Sequence, residues 1–135
     1  MILPLIKRAS KNQELMRFVI NGVFASFIHF LVLWFFLKVL NFNSAAVSNI
    51  IASIFGIMAS FLGNRYFVFI GHTEAFFTQL SKFSGLYVAI AVLHGISAYI
   101  ITDIYSIDYR IGFIFALFVQ VILGYLGSKY LVFLK

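Results

Sequence analysis

The spacing of charged residues constrains this chain more than any other feature. Between Arg17 and Lys38 lie 20 residues whose only Asp, Glu, Lys, Arg or His is His29. From Lys38 to Arg65 runs a longer stretch with no Asp, Glu, Lys or Arg. Another 20 residues, holding only His94, separate Lys82 from Asp103, and 18 separate Arg110 from Lys129. About 20 apolar residues cross a ~30 Å hydrocarbon core as a helix. In lipid every backbone polar group needs an internal partner, which a helix supplies. The spacing predicts an all-α membrane protein with four transmembrane helices near 18–39, 45–68, 83–102 and 110–132.

Composition agrees. Hydrophobic residues make up 63% and charged residues 10% of the chain, whereas a soluble domain carries about 25% charged residues. One membrane domain is expected over 1–135. The formal net charge of +6 would suggest nucleic acid in a soluble protein. Here the cations sit at the ends of apolar runs, the pattern of a protein facing anionic membrane lipids, and no nucleic-acid partner is expected. The absence of cysteine excludes disulfides, thiolate metal sites and cysteine nucleophiles. The first apolar run is longer than a signal-peptide core and has a counterpart later in the chain, so it reads as a permanent helix.

With four helices, both termini and the middle loop share one side. That side carries Lys7, Arg8, Lys11, Arg17, Arg65, Lys82, Lys129 and Lys135; the other carries Lys38 and Arg110. The bias places both termini in the cytoplasm. The mixed segment from Met1 to Gln13 reads as a flexible positive tail, with a short amphipathic surface element as the alternative.

The chain also resembles itself. Arg17-Phe18 aligns with Lys82-Phe83, Val23 with Val88 and His29 with His94. Phe61 to Phe69 (FLGNRYFVF) aligns with Tyr125 to Phe133 (YLGSKYLVF), and five of the nine pairs are identical. Two tandem hairpins are expected, copy one over 17–69 and copy two over 82–133. Each holds two helices, so the copies are parallel repeats with matching residues at equal depth.

FLGNRYFVF resembles the element closing the second helix in the GtrA-like family. Arg17 to Gly22 (RFVING) resembles that family's opening, and GYLGSKYLVF its C-terminal element. The resemblance covers Arg17 to Lys135. It implies a small bacterial protein of the cytoplasmic (inner) membrane, multi-pass, that moves polyprenyl-phosphate-linked sugars across the bilayer for decoration of surface polysaccharides. Such a flippase is not an enzyme and needs no cofactor.

Each candidate residue carries two readings. Arg65 and Lys129 complement a helix C-terminus and obey the orientation bias. With Asn64 and Ser128 beside them, they also suit a lipid phosphate, which Arg grips bidentately and Lys as a point charge. Arg17 and Lys82 are orientation signals, or they complete a basic ring around an anionic head group. Tyr66 and Tyr130 suit an interfacial aromatic belt. His29 and His94 lie twelve residues into their helices, ~18 Å deep. They serve either helix–helix hydrogen bonding or, with Asn21, Ser26 and Ser60, a polar path for the sugar. Two histidines make a poor metal site, and no metal is expected. Small residues such as Gly56, Gly63, Gly124 and Gly127 mark close helix packing. Four helices enclose little volume, so a homo-oligomer is expected.

No carboxylate lies inside a span, which argues against a proton-coupled small multidrug transporter. The phosphate loop of nucleotide-binding proteins and a hydrolase triad are also absent. A non-transporting anchor or partner of a membrane glycosyltransferase remains the alternative to a flippase.

Overall fold

A computed structural model describes the backbone of residues 2–71 and 74–134, and the side chains of 11–71 and 74–134. Four long helices follow one another: α1 (Ile2–Trp34), α2 (Ala45–Gly63), α3 (Phe76–Ala98) and α4 (Tyr109–Gly127). Each continues without a break into one wider π-helical turn, over Phe35–Val39, Asn64–Val68, Tyr99–Ile104 and Ser128–Val132. The lipid-length stretches are Lys11–Val39, Ala45–Val68, Phe76–Ile104 and Tyr109–Val132, of 29, 24, 29 and 24 residues. At 1.5 Å per residue, the shortest spans ~36 Å, enough for a ~30 Å core with some tilt. Most of each helix surface is apolar and exposed, from Phe24 and Phe30 in α1 to Phe118 in α4. Water would not tolerate that much apolar surface; hydrocarbon does.

The chain forms two compact units, Met1–Ile70 and Gly71–Lys135. Each is one helical hairpin. In the first, α1 and α2 pack through small residues. A Cβ on Gly56 would stand 3.0 Å from the His29 Cβ, and one on Gly63 would overlap the Asn21 amide. Phe18 and Phe69 close the hairpin's open end, with ring centroids 6.3 Å apart and planes at 55°. In the second, a Cβ on Gly127 would stand 2.6 Å from a Leu86 methyl. Phe83 and Phe133 meet at 6.1 Å and 56°. In lipid such contacts stabilise through close packing, because the surrounding tails are as apolar as the side chains.

The turns satisfy the helix ends locally. Ser44 Oγ accepts the Val47 N–H at 3.2 Å to start α2, and Asp108 Oδ1 accepts the Arg110 N–H at 2.8 Å to start α4. At the end of the first helix Leu40 N–H donates to Phe35 O and Phe42 N–H to Phe36 O, with Asn41 left-handed at φ 49°. At the end of the third, Tyr105 N–H donates to Ile100 O and Ile107 N–H to Ile101 O, with Ser106 at φ 53°. These bonds serve carbonyls that would otherwise face the edge of the hydrocarbon.

The C-terminal limits lie where the charges predict, but two helices start earlier. α1 already runs at Ile2, so the basic segment expected as a flexible tail has a helical backbone. Pro4 is compatible with this, because the first N–H groups of a helix have no partner to lose. The side chains of Lys7 and Arg8, and all of Thr73 and Lys135, lie outside the described residues. α3 begins at Phe76 instead of 83, with Glu74 just before its N-terminus and bound to Lys82. A charge ends a lipid-facing run; it does not end a helix.

Candidate functional site

In the first hairpin the expected site residues fall into three groups. The cations lie over aromatic rings. The Arg17 guanidinium sits 5.5 Å from the Phe67 centroid, and that of Arg65 sits 5.5 Å from Tyr66, whose ring is exposed. Such stacking steadies a guanidinium against the ring, and the Arg65 Nε is buried. Second, an amide-to-carbonyl bond crosses from α1 to α2, beside a contact between the Asn64 amide and the Ser60 hydroxyl. Asn21 Nδ2 donates to Ser60 O at 2.9 Å, and Asn64 Nδ2 approaches Ser60 Oγ at 3.4 Å. Third, His29 donates through Nε2 to Asn49 Oδ1 at 2.9 Å. Gly56 makes room for this imidazole. Ser26 is exposed and joins none of the three groups.

Asn64 is fully buried, and its Oδ1 has no hydrogen-bond partner among the described residues. Expected as the amide beside a phosphate, it is instead enclosed in the hairpin at the start of the widened turn. Asn49 was missed by sequence reasoning. The available signal was an amide near the start of α2, where an antiparallel chain passes the depth of His29.

The second hairpin repeats the pattern with changes. Lys129 Nζ lies 5.5 Å from the Tyr125 centroid and 5.9 Å from Tyr130, and donates to the Tyr125 hydroxyl at 3.3 Å. Ser128 is fully buried, with Oγ unpartnered among the described residues. Lys82 binds both carboxylate oxygens of Glu74, at 2.8 and 2.9 Å, so its charge is already matched. His94 Nε2 is buried without a hydrogen-bond partner among the described residues.

Each hairpin also carries a groove between its two helices. That of the first measures about 590 Å³ and runs past Ile20, Asn21, Phe24, Ala59, Gly63 and Phe67. That of the second measures about 420 Å³ and runs past Leu86, Ala89, Leu123, Gly127 and Tyr130. No group of three or more His, Cys, Asp or Glu side chains converges on a metal-sized site among the described residues.

Four lipid-length apolar helices with stacked cations at their ends define a multi-pass membrane protein. The chain belongs to the family described as GtrA/DPMS, transmembrane domain, whose sequence model matches residues 17–133. The expectation drawn from FLGNRYFVF and YLGSKYLVF therefore stands. Nothing among curated proteins or solved structures matches the chain. GtrA-type transmembrane domains are generally non-catalytic, and the family is implicated in polyprenyl-sugar translocation.

Proposed function

We propose that this protein translocates a polyprenyl-phosphate-linked sugar across the bacterial cytoplasmic membrane, for modification of a cell-surface polysaccharide, without covalent chemistry of its own. The observation that carries this reading is the end of each hairpin. Each hairpin has a cation stacked on aromatic rings at its basic end, Arg65 with Tyr66 and Lys129 with Tyr125 and Tyr130, and an apolar groove between its two helices. That combination suits an amphiphile with an anionic head and a long hydrocarbon chain. The polar groups of the first hairpin lie at successive depths below the basic end. Asn21 and Ser60 come first, then His29 with Asn49. They offer hydroxyl-rich cargo a sequence of hydrogen-bonding stations, and His94 is the corresponding group of the second hairpin.

Both termini are assigned to the cytoplasm on the Lys and Arg bias. The hairpins are assigned to an internal duplication, supported by matching caps, ring pairs and glycine contacts. A homo-oligomer is assigned because four helices leave little interior for a sugar.

The test is purified protein in liposomes holding a fluorescent polyprenyl-phosphate sugar, with flipping read by a membrane-impermeant quencher. Wild-type protein accelerates flipping, and the double variant Arg65→Ala/Lys129→Ala slows it at least tenfold. Flipping no faster than in empty liposomes would refute the assignment. The second reading, a glycosyltransferase anchor, draws support from the broad exposed apolar helix faces. It predicts co-purification with such an enzyme and no flipping.

A further inference from the structure

The two hairpins are built alike, yet their grooves are not equivalent. On α1, Asn21 faces Gly63; at the matching place on α3, Leu86 faces Gly127. One groove wall therefore carries an amide where the other carries a hydrocarbon side chain. Asn21 commits one N–H to Ser60 O. An amide nitrogen has two protons, and the second is uncommitted among the described residues.

The groove mouths differ in the same sense. Arg17 lies one turn before Ile20 and Asn21, on the same face of α1. Its guanidinium stands over Phe67, which lines the groove at its other wall. Among the described residues Arg17 has no acidic partner, and its guanidinium is only stacked. Its counterpart Lys82 is held by Glu74. So the first groove has at its wall a guanidinium held only by stacking, whereas in the second hairpin Lys82 is paired with Glu74 and Lys129 donates to the Tyr125 hydroxyl.

We propose that the first hairpin's groove is the binding site for the isoprenoid chain of a polyprenyl phosphate, with the phosphate held at Arg17, and that the second hairpin's groove does not bind it. This rests on the functional reading above and deepens it. Two features select the occupant. The anion is called for by charge complementarity at the mouth. The branched, unsaturated chain is called for by the groove's relief. Small Ala59 leaves relief for methyl branches beside the side chains of Phe24 and Phe55, while the space over Gly63 is taken by the Asn21 amide.

The experiment uses the full chain in liposomes and three photoreactive probes: an isoprenyl monophosphate, the corresponding isoprenol, and a straight-chain alkyl monophosphate. Crosslinked peptides are mapped by mass spectrometry. The isoprenyl monophosphate labels α1 and α2, saturably and at least fivefold more than α3 and α4. The isoprenol and the alkyl phosphate label at least fivefold less.

Ala59→Trp fills the first groove and reduces labelling at least fivefold. Leu123→Trp, at the matching place in the second groove, leaves labelling unchanged. Arg17→Gln, which keeps the packing, weakens the phosphate probe at least fivefold and leaves the isoprenol unaffected. Equal labelling of both hairpins, equal labelling by the alkyl phosphate, or labelling indifferent to Ala59→Trp and Arg17→Gln would each overturn the proposal. Selective labelling in a protein that flips nothing would sink the translocation reading and leave this site standing. Flipping with labels mapped to the second hairpin would do the reverse.

Discussion

A methyl group added at Gly63 tests how the first hairpin is held together. The Cβ would overlap the Asn21 amide, which must then move. Overpacking of this kind costs roughly 1–3 kcal/mol. Moving Asn21 also breaks its bond to Ser60 O, and an interhelical hydrogen bond in lipid contributes about 0.6 and at most about 1.7 kcal/mol. Alanine's better helix propensity returns about 1 kcal/mol. Gly63→Ala should therefore destabilise the protein by roughly 1–4 kcal/mol. Gly127→Ala meets Leu86 first, its methyls at 2.6 and 2.7 Å and its Cγ at 3.2 Å. A flexible side chain yields there without losing a hydrogen bond, so overpacking and propensity nearly cancel, within about 1 kcal/mol of zero. Gly95→Ala meets nothing within 4 Å and should stabilise, by about 0.5–1 kcal/mol.

The assay is reversible unfolding in mixed micelles on titration with SDS, followed by circular dichroism and by the single tryptophan, Trp34. The order of stability should be Gly95→Ala, then Gly127→Ala, then Gly63→Ala. Asn21→Ala removes the group that the new methyl strikes, so the Gly63→Ala penalty should shrink by at least about 1 kcal/mol in that background. A Gly63→Ala protein as stable as wild type, or a penalty unchanged by Asn21→Ala, would refute the packing argument.

Further expectations follow from the caps, the histidines and the orientation. Ser106→Gly relieves a left-handed residue at φ 53°, and should raise the unfolding free energy by about 0.5–1 kcal/mol, with a smaller gain for Asn41→Gly because asparagine tolerates that region. His29→Ala and Asn49→Ala should show a coupling of about 0.6–1.7 kcal/mol in a double-mutant cycle; His94→Ala and Phe113→Ala, the matching pair, should show none attributable to a hydrogen bond. The chain has no cysteine of its own, so single cysteines report topology directly. Asn43→Cys and Ile107→Cys should react with an impermeant maleimide on intact cells, and Ala75→Cys only after permeabilisation; the opposite pattern would reverse the orientation.

The C-terminal ends of the spans were legible because charges and turn residues coincide there. Lys38 and Asn41, Arg65 and Gly71, Asp103 and Ser106 each stand where a helix leaves hydrocarbon. The N-terminal ends were less legible. Charge patterning reads the thickness of the lipid, and α1 and α3 continue as helices past it. Side-chain pairing was harder still. His29 was visible as a polar residue at depth, but its bond to Asn49 depends on the rotational phase of two helices. That phase is set by Gly56 and Gly63 together with the side chains that fill the space beside them. The burial of Asn64 depends on the same phase. Its neighbour Arg65 is partly exposed, while Asn64 turns into the hairpin where the helix widens. One residue of rotation separates a displayed side chain from an enclosed one.

The same phase sensitivity bears on the proposed duplication. Correspondences along the first helix of each hairpin hold at an offset of 65: Phe18 with Phe83, His29 with His94, left-handed Asn41 with left-handed Ser106. Along the second helix they hold at 64: Gly63 with Gly127, Asn64 with Ser128, Phe69 with Phe133, and the caps Ser44 with Asp108. The missing residue must lie between the left-handed position and the cap. There the first hairpin has Phe42 and Asn43, and the second has only Ile107. A deletion inside a helix would rotate everything beyond it by about 100°. Gly127 would then be lost from beneath Leu86, and Phe133 from beside Phe83. Placed in the turn, the deletion changes only the connection and leaves both packing faces in register. Two copies that diverged under the demand for intact helix contacts would keep their length difference there, and would remain free to differ at Asn21 and Leu86, where a glycine opposite accepts either side chain.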